Sequence, residues 1–379
     1  MLLKNYNKNM GNIDSKDFSF LVSKNKNNIF NVLLLKSTDE NSISEICMEK
    51  DFNVYTTNTT QSTNNLLNSK NNSKNKLFFQ IIIINVDLNS ENEIKSNFLD
   101  ILRKIRSLNK KSFIIIFSQE ASEDAKLRIN CFDLECNMVT NCLNSLAEVL
   151  TKIKLIFESK SEKLSCPICH LSNLSEDALW LHLPLYHINL ENESQNDLVK
   201  KCPLCNHTPK PNIQVHYRNF HGPVKRGEIA SDFPKAPELY AFALVVVKRK
   251  SDKKYLLVQE FANSGYWLPG GRVDPQEKLG LAAIRETKEE AGIDIVLTGV
   301  LTVQFTQNDY ARLRVIYFAE PIDESQMPKS VPDYESAGAC YVDFNDLEEL
   351  PLRASEPLIW INYVEQGGII YPLTIFSDE

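Results

Sequence analysis

Residues 271–293, GRVDPQEKLGLAAIRETKEEAGI, constrain this chain more than any other stretch. Asp274, Pro275 and Glu277 have the residue types of a helix start, with Asp as N-cap, Pro in the first turn and Glu at the capping-box position. Gly292 supplies the C-terminal stop. At about 100° per residue, Glu286, Glu289 and Glu290 share an arc of about 100°, so three carboxylates crowd one helix face. Two carboxylates about 4 Å apart repel by roughly 4 kcal/mol at an effective dielectric of 20, a cost that a divalent cation with oxygen ligands reverses. Arg285 lies four residues before Glu289, in reach to hold that carboxylate in one rotamer. A solvated face is the ordinary explanation for glutamates and lysines on a helix, and Lys278 and Lys288 fit it. The Gly270–Gly271 turn, entered from Trp267, Leu268 and Pro269, does not.

The segment resembles the signature of the Nudix hydrolase family, G-x5-E-x7-R-E-U-x-E-E-x-G-U, at every charged and glycine position, and Thr287 alone replaces a bulky apolar residue. The resemblance covers 238–379 and implies an α/β/α sandwich, to which Leu244–Val247, Tyr255–Val258 and Arg314–Phe318 contribute strands. It implies Mg²⁺ or Mn²⁺ at Glu286 and Glu290, with Glu289 sharing the metal or activating water. Gly270 and Gly271 would let the backbone approach metal and diphosphate, Gly271 counting among the metal-site residues. Arg285 would orient Glu289. Glu335, in PDYESAGACYV, is the candidate for a further acid outside the helix, with a plain loop carboxylate as the alternative.

The implied reaction is hydrolysis of the diphosphate linkage in a nucleoside diphosphate derivative. Residues 312–358 look like the branch that degrades oxidised deoxyguanosine di- or triphosphates. The downstream proline of ADP-ribose hydrolases and the upstream arginine pattern of coenzyme A hydrolases are absent. Tyr310 stands near where dinucleoside polyphosphate hydrolases carry a tyrosine, with packing as its alternative role. Phe242, Phe305 and Tyr317 could stack on a base, but each alternates with apolar strand residues and reads as core.

Two further motifs precede this domain, within 160–226. Cys166, Cys169, His182 and His187 follow C-x2-C-x12-H-x4-H, and Cys202, Cys205, His216 and His221 follow C-x2-C-x10-H-x4-H. Both resemble C2H2 zinc fingers. Two thiolates from a tight turn and two imidazoles about one helical turn apart can converge tetrahedrally on Zn²⁺ and stabilise a module too small to fold alone. Leu179 and Ile213, each three residues before the first ligand histidine, fall on the face that covers such a site. His170 and His207 are spare, exposed imidazoles. The positions that would face DNA bases, Ser175, Ala178 and Leu181, then Pro209, Asn212 and Val215, are poor base readers. A structural or protein-binding role is therefore favoured over sequence-specific DNA.

From 29 to 157, apolar strands (29–35, 77–86, 113–117) alternate with helical stretches (97–108, 142–157), the pattern of a small parallel α/β domain. It resembles a flavodoxin-like response-regulator receiver: Asp87 and Ser118 end consecutive strands where that family has its phosphoacceptor and its hydroxyl residue. Lys36, Ser37 and Thr38 replace the family's acidic pair, and no lysine stands near Thr140, so the resemblance implies a degenerate receiver without a phosphorylation cycle. Residues 1–28 and the Thr/Asn/Ser/Lys-rich insertion 56–76 read as disordered.

With 379 residues, several cores are expected in an α/β multidomain chain. The net charge of -7 disfavours a general polyanion binder. Nine cysteines, partly in metal-type pairs, argue against a secreted disulfide framework. The longest apolar stretch, 77–86, is too short to span a bilayer, so a non-membrane, intracellular protein of cytoplasm or nucleus is expected. Its partners would be a nucleotide substrate and a protein bound through the fingers or the receiver-like domain. The alternative function is an adaptor whose Nudix fold senses a nucleotide.

Overall fold

The computed structural model describes residues 20–21, 30–36, 42–57, 63, 79–86, 93–158, 164–187, 201–209, 213–221, 239–260, 264–307 and 311–376. They fall into two compact units, Met1–Phe117 and Ser118–Glu379.

The first unit comprises β1 (Phe20–Leu21), β2 (Asn31–Lys36), α1 (Ser42–Glu49), β3 (Asn53–Thr57), β4 (Ile81–Asn85), α2 (Glu93–Leu108) and β5 (Phe113–Phe117). The runs NVLLL and IIIIN are buried residue after residue, as strands covered on both faces must be. β3, β2, β4 and β5 pair in parallel in that order, and β1 adds to β3 antiparallel. The expected helix start at 97 coincides with a non-helical break at Asn97 (φ -130°, ψ 17°), with α2 beginning at Glu93.

Two expectations for this unit need correction. Phe20–Leu21, expected within a disordered start, is a strand held by main-chain pairing to β3. β3 itself was not anticipated, and Thr56 and Thr57, assigned to the insertion, are buried at its end and pair with Leu34 and Leu35. Parallel pairing recruits polar β-branched residues that hydropathy alone assigns to a loop. Asp87, Ser37, Thr38 and all of 58–76 except Thr63 lie outside the described residues.

In the second unit, α3 (Gln119–Glu123), α4 (Ala125–Asp133), β6 (Met138–Thr140) and α5 (Leu143–Glu158) come first. The division at Phe117/Ser118 thus falls inside the 29–157 span expected as one domain. Buried Arg128 donates from Nε to Gln259 Oε1 and from Nη1 to the Val139 carbonyl, both at 3.2 Å, and buried Ser330 donates to Thr140 Oγ1 at 2.9 Å. Residues 118–158 are therefore tied to the C-terminal segment. Ser118 caps α3, its Oγ accepting from the Ala121 N–H.

Next come β7 (Leu164–Ser165), β8 (Ser172–Leu174), α6 (Glu176–His187) and α7 (Ile213–Phe220). The C-terminal segment contains β9 (Leu239–Val247), β10 (Tyr255–Gln259), β11 (Tyr266–Trp267), β12 (Gly270–Arg272), α8 (Leu279–Ala291), β13 (Ile295–Gln307), β14 (Ala311–Pro321), β15 (Gly338–Val342) and α9 (Glu356–Glu365). Two sheets form, β12-β9-β14-β13 and β11-β10-β15, with β9 and β14 parallel and every other pair antiparallel.

Strand alternation assigns the layers. Ala243, Val245 and Val247 share one core with Ala282, Ala283 and Ala291 of α8. Leu244 and Val246, between them, join a second core with Ile361 of α9. Small alanines on α8 bring its axis close to the sheet, which places its glutamates beside the Gly270–Gly271 strand. The expected strands are all present and longer than anticipated.

The start of α8 differs from expectation: its N-cap is Lys278, not Asp274. Gln276 takes φ 69°, which an α-helix cannot continue through. The capping-box pair survives as a separate turn, with Asp274 N–H donating to Glu277 Oε2 at 2.9 Å. Gly292 closes the helix at φ 74°, as the residue type requires. Thr287 is fully buried, and its hydroxyl donates to the Ala283 carbonyl at 2.8 Å, so the helix itself satisfies the polar atom. Among the described residues no helix is long and apolar enough to cross a membrane.

Candidate active site

β12 lies antiparallel to β9, with Gly271 opposite Ala243, and presents its backbone to the acidic face of α8. Gly270 has φ 145°, and a Cβ there would meet the Ala243 carbonyl oxygen at 2.3 Å. A Cβ on Gly271 would meet the Glu286 carboxylate at 2.5 to 2.7 Å. The second glycine thus leaves room for a carboxylate rather than for an unusual backbone. Glu290 is buried, and its Oε2 accepts from the Gly270 N–H at 2.9 Å.

Arg285 organises the exposed side of this face. It donates to Glu289 Oε2 at 3.1 Å, as the four-residue spacing predicts, and to Glu286 Oε1 at 2.9 Å. Its main grip is on Glu277, to which Nε and Nη2 donate at 2.8 Å each, a two-pronged pair invisible to an i,i+4 rule. Glu277 therefore serves as an anchor for Arg285, and this use explains why the preceding turn leaves the helix.

Glu335 is brought to the same place by the 329–336 loop. Lys329 Nζ donates to the Glu289 carbonyl at 2.8 Å, Ser336 Oγ to the Glu290 carbonyl at 2.6 Å, and Asp333 Oδ1 accepts from the Glu335 and Ser336 N–H groups. A further acid, Glu260, follows β10 and is buried. Burial first, then Glu289 and Glu335, pushes Glu286 up against the opposing pull of Arg285. Glu290 is raised well above the usual carboxylate range, again by burial first and then by Glu260, Glu286 and Glu335, while the Gly270 N–H opposes. Burial raises Glu260 too, against Arg353 and Arg218. Such a set is unfavourable alone and complementary to divalent cations.

Residues 239–361 match the family described as NUDIX domain. That segment is a Nudix domain. The chain is 27% identical to Nudix hydrolase 10 of Arabidopsis thaliana over 182 residues, 48% of this chain and 61% of that protein. It therefore spans less than two thirds of that relative's length. It is 28% identical to an uncharacterised Nudix hydrolase of Bacillus subtilis over 134 residues, 34% of this chain and 84% of that protein. Among solved structures, a NUDIX hydrolase from Nitrosomonas europaea aligns at 19% identity and TM-score 0.29, covering 36% of this chain and 95% of that one.

Within the Nudix domain, three contributors escaped sequence reasoning: Glu260, Arg353 and, from outside it, Arg218. Arg353 donates to Glu260 Oε1 at 3.2 Å, and Arg218 pairs with Glu335. The pair Gln259–Glu260 closing the apolar run YLLV was the one available signal, since a buried strand seldom ends on a buried acid without a partner. Tyr317 is core, as expected, and Phe242 is half-buried. Phe305 is not: it is 62% exposed on the outer part of β13, where the strand runs beyond the core. Tyr310 lies outside the described residues.

Upstream, Cys166/Cys169/His182/His187 and Cys202/Cys205/His216/His221 are each gathered so that all four donor atoms lie within 4.8 Å of one another. Among the described residues these are the sets so gathered. Tetrahedral zinc implies about 3.5 Å between S and N and about 3.3 Å between N and N. The observed Sγ–Nε2 separations are 3.2 to 3.4 Å and the Nε2–Nε2 separations 3.1 and 3.2 Å.

The donor chemistry fits as well. Cys169 is held far below the ordinary thiol range by the Cys166 hydrogen bond and then by both histidines, while burial pushes His182 below the ordinary imidazole value. Each Cys-x2-Cys turn ends on a left-handed residue, His170 at φ 59° and Asn206 at φ 60°. Both spare imidazoles, His170 and His207, are exposed, and Leu179 and Ile213 are buried as expected. Ala178 is buried, so it faces protein rather than solvent, and Asn212 lies outside the described residues.

Proposed function

We propose that this chain is a divalent-metal-dependent hydrolase that cleaves the diphosphate linkage of a nucleoside diphosphate derivative, with oxidised deoxynucleotides as the leading substrate class. The observation that carries this reading is the convergence of Glu286 and Glu290 on the Gly270–Gly271 strand, with Glu260 and Glu335 coupled to them. Glu286 and Glu290, with Glu289 and the Gly271 backbone, would hold Mg²⁺ or Mn²⁺. When bound, the cation screens the diphosphate and acidifies a water.

The chain's own part is positioning. The Gly270 N–H and Ser336 fix Glu290 and its backbone, and Arg285 limits Glu286 and Glu289 to one arrangement; Glu335 or Glu289 would take a proton from the attacking water. The two Cys/His groups are assigned to structural Zn²⁺, a reading supported by the donor separations. Protein contact is favoured over DNA for these modules, because Ala178 is buried and no arginine occupies a base-facing position. The first unit is read as a receiver-like scaffold without phosphorylation chemistry. The parallel order β3-β2-β4-β5 supports that reading.

The test is a turnover screen of the purified full chain against oxidised dNTPs, NADH, ADP-ribose and diadenosine polyphosphates, with and without Mg²⁺ or Mn²⁺. Metal-dependent release of phosphate or nucleoside monophosphate, abolished in Glu289→Gln, is expected. Tight nucleotide binding without turnover of any of them would favour the adaptor.

A further inference from the structure

The helices that bear the histidines of the two Cys/His groups also touch the loop that carries Glu335. Trp180, on α6 two residues before His182, stacks on Tyr334 with ring centroids 4.0 Å apart and planes 25° from parallel. Arg218, on α7 two residues after His216, donates from Nη2 to Glu335 Oε2 at 2.5 Å. Gln214 of α7 donates to the His187 carbonyl at the end of α6, so the two helices are joined. α6 is itself seated on α5, and Asn137 Nδ2 donates to the Leu185 carbonyl.

Neither contact is what a finger offered to an outside partner would show. Trp180 is half-buried and stacks on Tyr334, itself only 5% exposed, so one face of the indole is occupied within this chain. An arginine beside a carboxylate that belongs to a cluster of repelling acids is placed where its charge has much to offset. The loop is already held from the α8 side by Lys329 and Ser336. Trp180 and Arg218 hold its other side, through the Tyr334 ring and the Glu335 carboxylate.

We propose that the two Cys/His modules act as an internal clamp on the hydrolase site, with Arg218 and Trp180 as positioning residues that hold Glu335 against the metal-binding carboxylates. The inference rests on the hydrolase reading for its kinetic consequence but not for its structural one. Zinc at the second group would keep Arg218 in register, because His216, on the same short helix, and His221, the residue just after that helix, bracket it.

Two measurements on the full-length chain test it. The first is hydrogen exchange of segment 330–337 in wild type, Arg218→Ala, Trp180→Ala and Cys202→Ser, with zinc content measured in each. Faster exchange confined to that segment in Arg218→Ala and Trp180→Ala, and the same change in Cys202→Ser alongside loss of one zinc, is expected. Unchanged exchange in both Arg218→Ala and Trp180→Ala overturns the clamp, whatever the chain's activity.

The second is kinetic, on the substrate found in the turnover screen. Losing a supporting partner of this kind costs about 10- to 100-fold. Arg218→Ala should lower kcat by that factor with KM nearly unchanged, Arg218→Lys should recover part of it, and Arg218→Ala should add nothing in a Glu335→Gln background. A raised KM with constant kcat, or effects that multiply in the double variant, would show that Arg218 acts on substrate instead and overturn the positioning role. Absence of turnover in wild type would refute the hydrolase reading while leaving the exchange result to decide the clamp.

Discussion

Gly271→Ala offers a clean separation of site geometry from fold. An ideal Cβ at 271 lies 2.5 Å from Glu286 Cδ, whereas ordinary contact begins at 3.4 Å, so the carboxylate must retreat by about 0.9 Å. The backbone there is ordinary extended strand and accepts a side chain, so the stability loss should be that of one strained rotamer, about 1 kcal/mol. A displacement near 1 Å at a reacting centre costs about 100-fold in rate, or about 2.7 kcal/mol of barrier. Gly270→Ala is the control, since φ 145° and a 2.3 Å approach to the Ala243 carbonyl put its Cβ against a paired strand that cannot yield. Steady-state turnover, Mn²⁺ titration and thermal melting of both variants give the comparison. Gly271→Ala should melt near wild type with kcat down about 100-fold, and Gly270→Ala should melt far lower. Turnover of Gly271→Ala within threefold of wild type, with unchanged Mn²⁺ affinity, would show that the position of Glu286 against this strand does not matter.

Three further outcomes follow from the same geometry. Glu290→Gln keeps an acceptor for the Gly270 N–H and removes a buried charge, so without divalent metal its melting temperature should hold or rise. Supporting partners alone are worth about 10- to 100-fold, so loss of this carboxylate should lower metal-dependent turnover by at least about 100-fold. Arg285→Lys cannot reproduce the two-pronged grip on Glu277 and should cost about 1 kcal/mol by urea denaturation while weakening Mn²⁺ binding. Glu365 is held below the usual carboxylate range by Lys248 and then by the Tyr255 hydroxyl. A lowered folded value stabilises the chain above the unfolded pKa of about 4.3 and loses that contribution as pH falls through the folded value. Glu365→Gln should therefore lower stability at pH 7 by at most about 1 kcal/mol, the pair being partly solvated, and the gap should shrink as pH falls through the lowered folded value.

The acidic helix was legible because its information is local. A 3.6-residue repeat alone puts Glu286, Glu289 and Glu290 on one face, and Gly292 alone ends the helix. The Cys/His groups were legible for the same reason: each Cys-x2-Cys turn is local, His182 and His187 share one helix, and His221 directly follows the helix of His216. The start of α8 was misread because the N-cap signal at Asp274 is real but competes with a long-range use of Glu277 by Arg285. β3 and Phe305 were misread for a related reason: strand pairing, not residue hydropathy, decided that Thr56 and Thr57 are inside and Phe305 outside.

What the sequence by itself determined is therefore the set of groups that chemistry can be done with: three glutamates on one helix, a glycine pair before it, and two sets of zinc-type donors. What only the tertiary structure decided is which distant residues complete them. Glu260 comes from the end of β10, Glu335 from a loop tied to the far end of α8, and Arg218 and Trp180 from the helices of the Cys/His modules. Local periodicity and spacing are properties of consecutive residues, and they carry no record of which surfaces pack together. An ion pair across 117 residues exists only once two separately folded elements have been pressed against each other.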